Sequence, residues 1–190
     1  MDENPDFILS SHPFYKCLSS EEQETMISKS ALVSYRWGEI VYKQGSLVTV
    51  LPVLTEGFVR ICSETDAGDR VVDICAYGEI IGMIFLFGSS KHRYTATALT
   101  DIKVREISME TVDRILTDNG EAGRALIKQV AIRSSAHIDY FVKRGLLDAK
   151  GKIISMLLHL SDFVYKDDLF NLSFNRKEMA QFAGTSTETA

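Results

Sequence analysis

Hydrophobic and polar positions divide the chain into a strand-like middle and two helical flanks. Short β-rich runs alternate with glycines from residue 31 to residue 107, which is typical of an all-β sandwich or barrel. The runs that predict strands are 31–35, 40–43, 48–54, 58–62, 71–76, 94–99 and 103–107. Before them, Ser19 and Glu22 form a capping-box pattern that predicts a helix over 20–29. Gly57 and Gly68 flank a predicted hairpin.

Helical periodicity replaces the strand pattern after Ser108. A short amphipathic helix is predicted over 109–116, and a long helix over 121–147, because that stretch contains no proline and only two glycines. Asp148 is the predicted cap of a further helix. The fold class that follows is α+β: an N-terminal double-stranded β-helix (jelly roll), a long helix, and a C-terminal partial helix-turn-helix.

One side of the long helix carries a stripe with the spacing of a two-helix contact. Its members are separated alternately by four and three residues, which is the 3.5-residue repeat of paired helices. The stripe consists of Ile127, Ala131, Ser134, Ile138 and Phe141. This pattern favours a homodimer joined along the helix. It leaves open the alternative that the same side packs on the β domain of its own chain.

The C-terminal residues have the pattern of a helix-turn-helix. A predicted helix over 176–182 is followed by Gly184, which suits the left-handed conformation that ends a helix, and Ser186 can cap a second helix. The first residues of the second helix of such a pair reach base edges, while basic and hydroxyl side chains reach phosphates. The predicted DNA contacts are Thr187 and Glu188 to bases, and Arg176, Lys177, Ser186 and Thr189 to phosphates. The alternative is a helical hairpin that finishes a C-terminal bundle.

Composition narrows the function classes. The net charge of −5 speaks against a generic nucleic-acid coat, although residues 141–190 hold seven basic and six acidic residues and are the less acidic end. No apolar stretch reaches the roughly 18 residues of a membrane span, and the acidic start lacks a secretory pattern. We therefore expect a cytoplasmic protein with no membrane partner. The three cysteines are far apart and form no CxxC motif, so buried thiols are expected rather than disulfides or metal ligands.

Several motifs resemble those of the CRP/FNR family of transcription regulators. The matching segments are 36–45, 54–60, 77–82, 146–153 and 184–189. The resemblance implies a cyclic-nucleotide-binding-like β-roll effector domain at 1–118, a dimerisation helix at 119–147, and the start of a winged helix-turn-helix at 148–190. It also implies that the recognition helix and the wing continue beyond the last residue, so that the chain as given is expected to bind DNA poorly.

The resemblance locates an effector pocket that departs from the cyclic-AMP-binding members. Those members place a glutamate after the pocket glycine, whereas Met83 follows Gly82 here. Their loop-end arginine falls on His92, and Arg93 is one residue late, a shift that turns a strand side chain to the other face. The expected pocket residues are Gly82, Met83, His92, Arg93, Tyr94, Thr95 and His137. They predict an anionic or apolar effector other than cyclic AMP, held by Arg93 and Tyr94.

The predicted function is an effector-responsive, DNA-binding transcription regulator of the CRP/FNR type. The expected partners are double-stranded DNA, a second copy of the chain and a small-molecule effector, with RNA polymerase as a further candidate. No cofactor is expected, because the sequence lacks an iron–sulfur cysteine cluster and neither His12 nor His92 has the context of a haem ligand. One rival is a cyclic-nucleotide-binding-like module that regulates a protein partner. Another is a cupin-type enzyme, which needs a clustered metal set that the scattered histidines do not provide.

Overall fold

The computed structural model describes residues 12–66, 69–172 and 175–189. The chain enters through a short 3₁₀ turn at Tyr15–Cys17 and helix α1 at Ser20–Ser28. The predicted capping box is present at the start of α1. The Glu22 N–H donates to Ser19 Oγ at 3.3 Å, and the Ser19 N–H donates to the Glu22 carboxylate at 2.7 Å. Local chemistry therefore sets where this helix begins.

Strands occupy the predicted middle of the chain and form a two-sheet jelly roll. They are β1 (Ser30–Tyr35), β2 (Ile40–Tyr42), β3 (Val50–Glu56), β4 (Val59–Ser63), β5 (Arg70–Cys75), β6 (Thr95–Ala98) and β7 (Ile102–Ser108). One antiparallel sheet has the order β1-β7-β3 and the other β2-β6-β4-β5. The predicted hairpin is the β4–β5 pair, and its turn residues 67–68 lie outside the described residues.

Strand β3 is buried on both faces. Leu54 points into the core between the two sheets, where it meets Val104 of β7. Leu51 and Val53 point to the other side, where they join Ile107 and the helices that cover this sheet. Since water reaches neither face, the strand reads as a nearly unbroken apolar run rather than as an alternating one.

The helices lie outside the roll and cover both sheets. They are α2 (Met83–Leu86), α3 (Met109–Asp118), α4 (Gly120–Gly145), α5 (Ala149–His159) and α6 (Arg176–Ala183), with one π-helical turn at Leu160–Tyr165 after α5. The beginning of α4 packs with α1 and α3 on the three-stranded sheet. Its end packs with α5 and α6 on the outer face of β4 and β5. Within the described ranges, no helix combines the length and the apolarity needed to cross a bilayer.

The segment after β5 covers the free edge of β3. The Gly78 N–H donates to the Leu54 carbonyl, the Leu54 N–H donates to the Glu79 carbonyl, and the Ile81 N–H donates to the Pro52 carbonyl, each at 2.8 Å. This pairing closes an edge that would otherwise leave backbone groups unpaired. It also fixes Glu79 beside the long helix, where its side chain takes part in the site described below.

Replacing Ile61 by alanine tests the core between the sheets. Ile61 on β4 is fully buried, so the truncation is expected to lower the free energy of unfolding by about 2–5 kcal/mol. Urea denaturation measures the change. Ile40→Ala is the matched control, because Ile40 on β2 is half exposed, and its effect should stay within about 0.5 kcal/mol. Equal losses in the two variants would contradict this placement of the core.

Candidate functional site

Aromatic side chains fill the interior of the roll, where the sequence predicts an effector pocket. The rings of Tyr42 and His92 stack with 3.7 Å between their centroids. Phe85 and Tyr94 meet edge to face at 4.4 Å. The void that remains beside these rings is about 10 Å³, which is the space of a single water at most. The chain's own side chains therefore occupy the room that a nucleotide would need.

Gly82 makes this filling possible. Its φ is +70°, in the left-handed region that favours glycine. A Cβ at this position would also overlap the Tyr42 hydroxyl. Burial raises the pKa of Tyr42 well above its ordinary value, and the nearby Cys75 and Asp73 act in the same direction. Tyr42 therefore stays a neutral phenol in the centre of the roll.

The predicted pocket residues do not all meet in one place. Arg93 lies at the rim of the filled interior and is exposed to solvent. Thr95 accepts the Gln44 N–H at 2.9 Å and donates to the Glu64 carboxylate, so it links neighbouring segments of the roll. Met83 lines a different cleft, outside the roll. The structure thus brings Gly82, His92, Arg93 and Tyr94 together, but not Met83, Thr95 or His137.

A buried polar cluster joins the roll to the long helix α4. Arg133 donates from Nη2 to Asp73 at 3.1 Å and to the Ile74 carbonyl at 3.1 Å, and its Nη1 contacts the Glu79 carboxylate. The Nε2 atom of His137 lies 3.0 Å from Asp73. Asp73 is only 2% exposed. We call Asp73, Glu79, Arg133 and His137 the junction cluster.

Two carboxylates share one guanidinium in this cluster. Burial pushes the pKa of Asp73 upward, but the charge of Arg133 and the contact with His137 outweigh it, so that the pKa lies below its ordinary value. Burial raises the pKa of Glu79, and Arg133 offsets only part of that effect. Burial opposes the charge of Arg133 as well, yet Asp73 and Glu79 together raise its pKa. Arg133 therefore remains a cation, and its charge keeps Asp73 ionised.

Aromatic contacts continue from the junction cluster to the C-terminal helix. The ring of His159 on α5 lies 6.2 Å from His137 and 4.5 Å from Tyr140. Burial lowers the pKa of His159 to about 4, so the ring is neutral at neutral pH. The Tyr140 hydroxyl donates to the carbonyl of Phe182 on α6 at 3.1 Å. The roll, α4, α5 and α6 thus form one continuous set of contacts.

Helix α6 ends at the corner that the sequence predicts, whereas the second helix predicted to begin at Ser186 does not form within the described residues up to 189. Asn175 and Glu178 form a capping box at its start, and Gly184 ends it with φ +69°. After Gly184 the chain makes a turn at 187–189, in which the Thr189 N–H donates to the Ser186 carbonyl at 3.2 Å. All six predicted DNA contacts are exposed: Arg176, Lys177, Ser186, Thr187, Glu188 and Thr189.

The opposite face of α6 is docked on the roll. Phe182 is 1% exposed and packs with the outer face of β4 and β5. Arg60 of β4 forms an ion pair with Glu178 at 3.1 Å. Arg144 of α4 donates from Nη1 to the Phe182 carbonyl at 2.7 Å. The corner therefore has a buried inner face and a solvent-facing outer face.

The predicted stripe on α4 faces away from the roll. Ile127 and Ile138 are 71% and 62% exposed, while Arg133, His137 and Tyr140 on the inner side make the contacts described above. The alternative that this stripe packs on the β domain of its own chain is therefore wrong. The reason is that the other side of α4, which carries Arg133, His137 and Tyr140, is the side that packs on the roll.

Sequence reasoning missed Asp73, Glu79 and Arg133. Two signals were available in the sequence: Asp73 is a carboxylate among the apolar residues 71–75 of strand β5, and Arg133 shares a helix face with Leu126 and His137. A charged residue at an inward position predicts an oppositely charged partner, because an unpaired buried charge strongly destabilises the folded state.

Comparison with known proteins finds a match for the β-roll part of the chain. Residues 32–119 match the sequence model of the cyclic nucleotide-binding domain. The chain is similar to the cAMP-dependent protein kinase regulatory subunit of Dictyostelium discoideum, with 26% identity over 74% of this chain and 44% of that protein. It is also similar to a probable transcriptional activator of Rhizobium leguminosarum bv. viciae, with 23% identity over 78% of this chain and 63% of that protein. The matches span less than two thirds of either relative.

Solved structures share the architecture. FixK2 from Bradyrhizobium japonicum superposes with a TM-score of 0.76 at 20% identity, covering 84% of this chain and 80% of that one. The c-di-GMP responsive global regulator CLP of Xanthomonas campestris gives 0.73 at 22% identity, covering 90% and 87%. These likenesses confirm the predicted fold, a jelly roll followed by a long helix.

Replacing Arg133 by methionine tests the junction cluster. Asp73 and Glu79 would then be buried without their cation, so we expect a loss of about 3–5 kcal/mol in the free energy of unfolding at neutral pH. In the native protein the pKa of Asp73 is lowered. Its contribution to the free energy of unfolding is therefore present above the unfolded-state pKa and is lost as the pH falls. In the variant, only the contacts with His137 and the Ile74 N–H still oppose burial, so the pKa of Asp73 rises and less stability is gained as the pH rises.

The difference in the free energy of unfolding between the native chain and the Arg133→Met variant should therefore shrink as the pH is lowered from about 7 toward about 4. Urea denaturation across that pH range measures it. Arg124→Met is the control, because Arg124 is an exposed arginine on the same helix. A pH-independent loss would reject the charge-pairing role of Arg133.

Proposed function

We propose that this chain, which matches the cyclic nucleotide-binding domain over residues 32–119 and shares the fold of CRP/FNR-type transcription regulators, is an effector-responsive regulator that binds double-stranded DNA. The exposed outer face of the helical corner is the observation that carries the proposal. Two basic side chains, three hydroxyls and a carboxylate stand together on that face. Basic and hydroxyl groups suit phosphate contacts, and a carboxylate can accept from cytosine N4.

The effector is not cyclic AMP. The filled interior of the roll supports this, because stacked Tyr42 and His92 lie where the ligand would have to enter. The residue after the pocket glycine is Met83 rather than a carboxylate that could hold a ribose. Arg93 is exposed at the rim instead of buried beside a phosphate.

The regulator acts as a homodimer joined along α4. The stripe of Ile127, Ala131, Ser134, Ile138 and Phe141 is apolar apart from Ser134, has the repeat of a paired helix and is mostly exposed in the single chain. An exposed apolar stripe of this length is a typical protein interface. Its self-complementary spacing selects a second copy of the chain as the partner, which gives the two-fold symmetry that helix-turn-helix dimers share with their operators.

Two sets of contacts couple the sensory roll to the corner. One is direct, the ion pair of Arg60 with Glu178, which also caps α6. The other runs along α4 from Arg133 to Tyr140 and Arg144, which hold the Phe182 carbonyl. An effector that binds one arrangement of roll and α4 better than another would therefore also shift the position of the corner.

A second candidate function is the regulation of a protein partner. The similarity to a protein kinase regulatory subunit favours it. This alternative gives no role to the six exposed polar residues of the corner. Titration of DNA against the protein distinguishes the two functions, because only the regulator of transcription needs a salt-dependent affinity for duplex DNA.

Replacing Ile138 by lysine tests the dimer. An ammonium group in the apolar stripe should weaken self-association by roughly tenfold or more, as measured by analytical ultracentrifugation. Ile132→Lys is the matched control, because Ile132 is equally exposed, at 61% against 62%, and lies about 120° away around the helix. An unchanged dimer in the Ile138 variant would reject the stripe. A native chain that stays monomeric at high concentration would reject the dimer itself.

Replacing Glu188 by alanine tests sequence readout at the corner. With the natural protein, including any residues that follow Ala190, selection from random duplexes should show altered preference at one base pair. Lys177→Ala should instead weaken binding to all sequences alike and reduce the salt dependence by about one phosphate contact. A uniform loss with the Glu188 variant would assign that residue a structural role. Absence of salt-dependent DNA binding by the natural protein would reject the proposed function.

A further inference from the structure

A cleft outside the roll offers the room that the interior lacks. It measures about 510 Å³ and lies where the roll, α4 and the π-helical turn meet. Small-molecule sites are typically about 300–1,000 Å³. Its walls include Tyr77 and Glu79 from the roll, Ile132 and Arg133 from α4, and Phe163 from the π-helical turn. We call this space the junction cleft, because the junction cluster forms part of its lining.

The junction cleft is apolar along its sides and stays open in the proposed dimer. Tyr77, Ile132 and Phe163 are each more than two fifths exposed. The α4 residues 129, 133 and 136 line it, and helix geometry places them roughly 150° around α4 from residues 127, 134 and 138. A second copy paired through the stripe would therefore leave the cleft accessible.

Charge in the lining favours a cation over an anion. Three carboxylates face two cations, which leaves a surplus of one negative charge. The carboxylates belong to Asp73, Glu79 and Asp162, and the cations to Arg133 and Lys166. The guanidinium of Arg133 already donates to both buried carboxylates and to the Ile74 carbonyl, so its positive charge is already compensated and attracts an anionic ligand little.

Two further features of the walls are typical of binding sites. Among the described residues, Lys166 at the end of the π-helical turn is the one non-glycine residue with a positive φ, +54°. Backbone in this region is strained for a residue with a Cβ, and such strain clusters at ligand sites, as do π-helical turns. His12 is almost fully buried in the wall, and its Nδ1 has no hydrogen-bond partner among the described residues.

We propose that the junction cleft is the effector site and that it takes a small organic ammonium ion with an aromatic or branched aliphatic body. The apolar body packs against Ile132 and Phe163. The ammonium group lies near the surplus carboxylate charge and the ring faces of Tyr77 and Phe163, where cation–π attraction adds to the electrostatic attraction. The effector role of this ligand rests on the proposed regulatory function, whereas its binding in the junction cleft does not.

This location explains how ligand binding in the junction cleft could change the position of the C-terminal corner. A ligand in the junction cleft touches the roll, α4 and the turn that follows α5 at the same time. It therefore discriminates between arrangements of these three elements, which is the requirement for a ligand-driven shift between two states.

Calorimetry with two matched probes tests the proposal. Phenethylammonium and hydrocinnamate have nearly the same shape and opposite charge. The native chain is expected to bind one phenethylammonium ion per chain and to bind hydrocinnamate at least roughly tenfold more weakly. Stronger binding of hydrocinnamate, or no binding of either probe, would overturn the proposal.

Two variants locate the bound probe. Ile132→Trp fills the cleft and should weaken phenethylammonium binding by roughly tenfold or more. Leu158→Trp is the control, since Leu158 is a similarly exposed residue of α5 outside the cleft lining, and its affinity should equal that of the native chain. Equal affinities in both variants would place the probe elsewhere. Because no DNA is present, failure here rejects the cleft and leaves the DNA-binding proposal standing.

Discussion

The contact of one guanidinium with two buried carboxylates holds the parts of this molecule together. Arg133 reaches from the long helix into the edge of the roll, where Asp73 and Glu79 share its guanidinium. Burial makes each of these charges expensive alone, so the three are stable only as a set. The position of α4 on the roll follows from that set. The positions of α5 and α6 follow in turn, because both pack on α4.

Much of the fold follows from local patterns. The capping box at Ser19 and Glu22 and the left-handed Gly184 act over a few residues, so their consequences can be predicted from spacing alone. The strand pattern likewise predicts a two-sheet roll. The junction cluster could not be predicted in this way, because Asp73 and Arg133 are distant in sequence and only the packing of α4 brings them together.

The candidate site shows the limit of transferring residues from a family motif. Four of the seven predicted pocket residues do meet in the roll, but the space among them is already filled by rings. The free volume of a pocket depends on how many side chains pack together around it, so it cannot be predicted from any single sequence position. Tyr42 belongs to a motif that marks the roll, and nothing in that motif shows that its ring stacks on His92. The open space lies instead against a face of α4 other than the one that carries the exposed stripe.

The contacts of the Phe182 carbonyl oxygen limit the kind of movement that the C-terminal corner can make. It accepts hydrogen bonds from both Tyr140 and Arg144, and the ring of the same residue is buried against the roll. A small rotation of α6 would lengthen both bonds and open the apolar contact together, so no partly turned position keeps a share of the stabilisation. Under the proposed regulatory function, movement of the corner would therefore be all-or-none, and a population of such molecules would grade its output by the fraction that has switched rather than by the angle through which each one has turned.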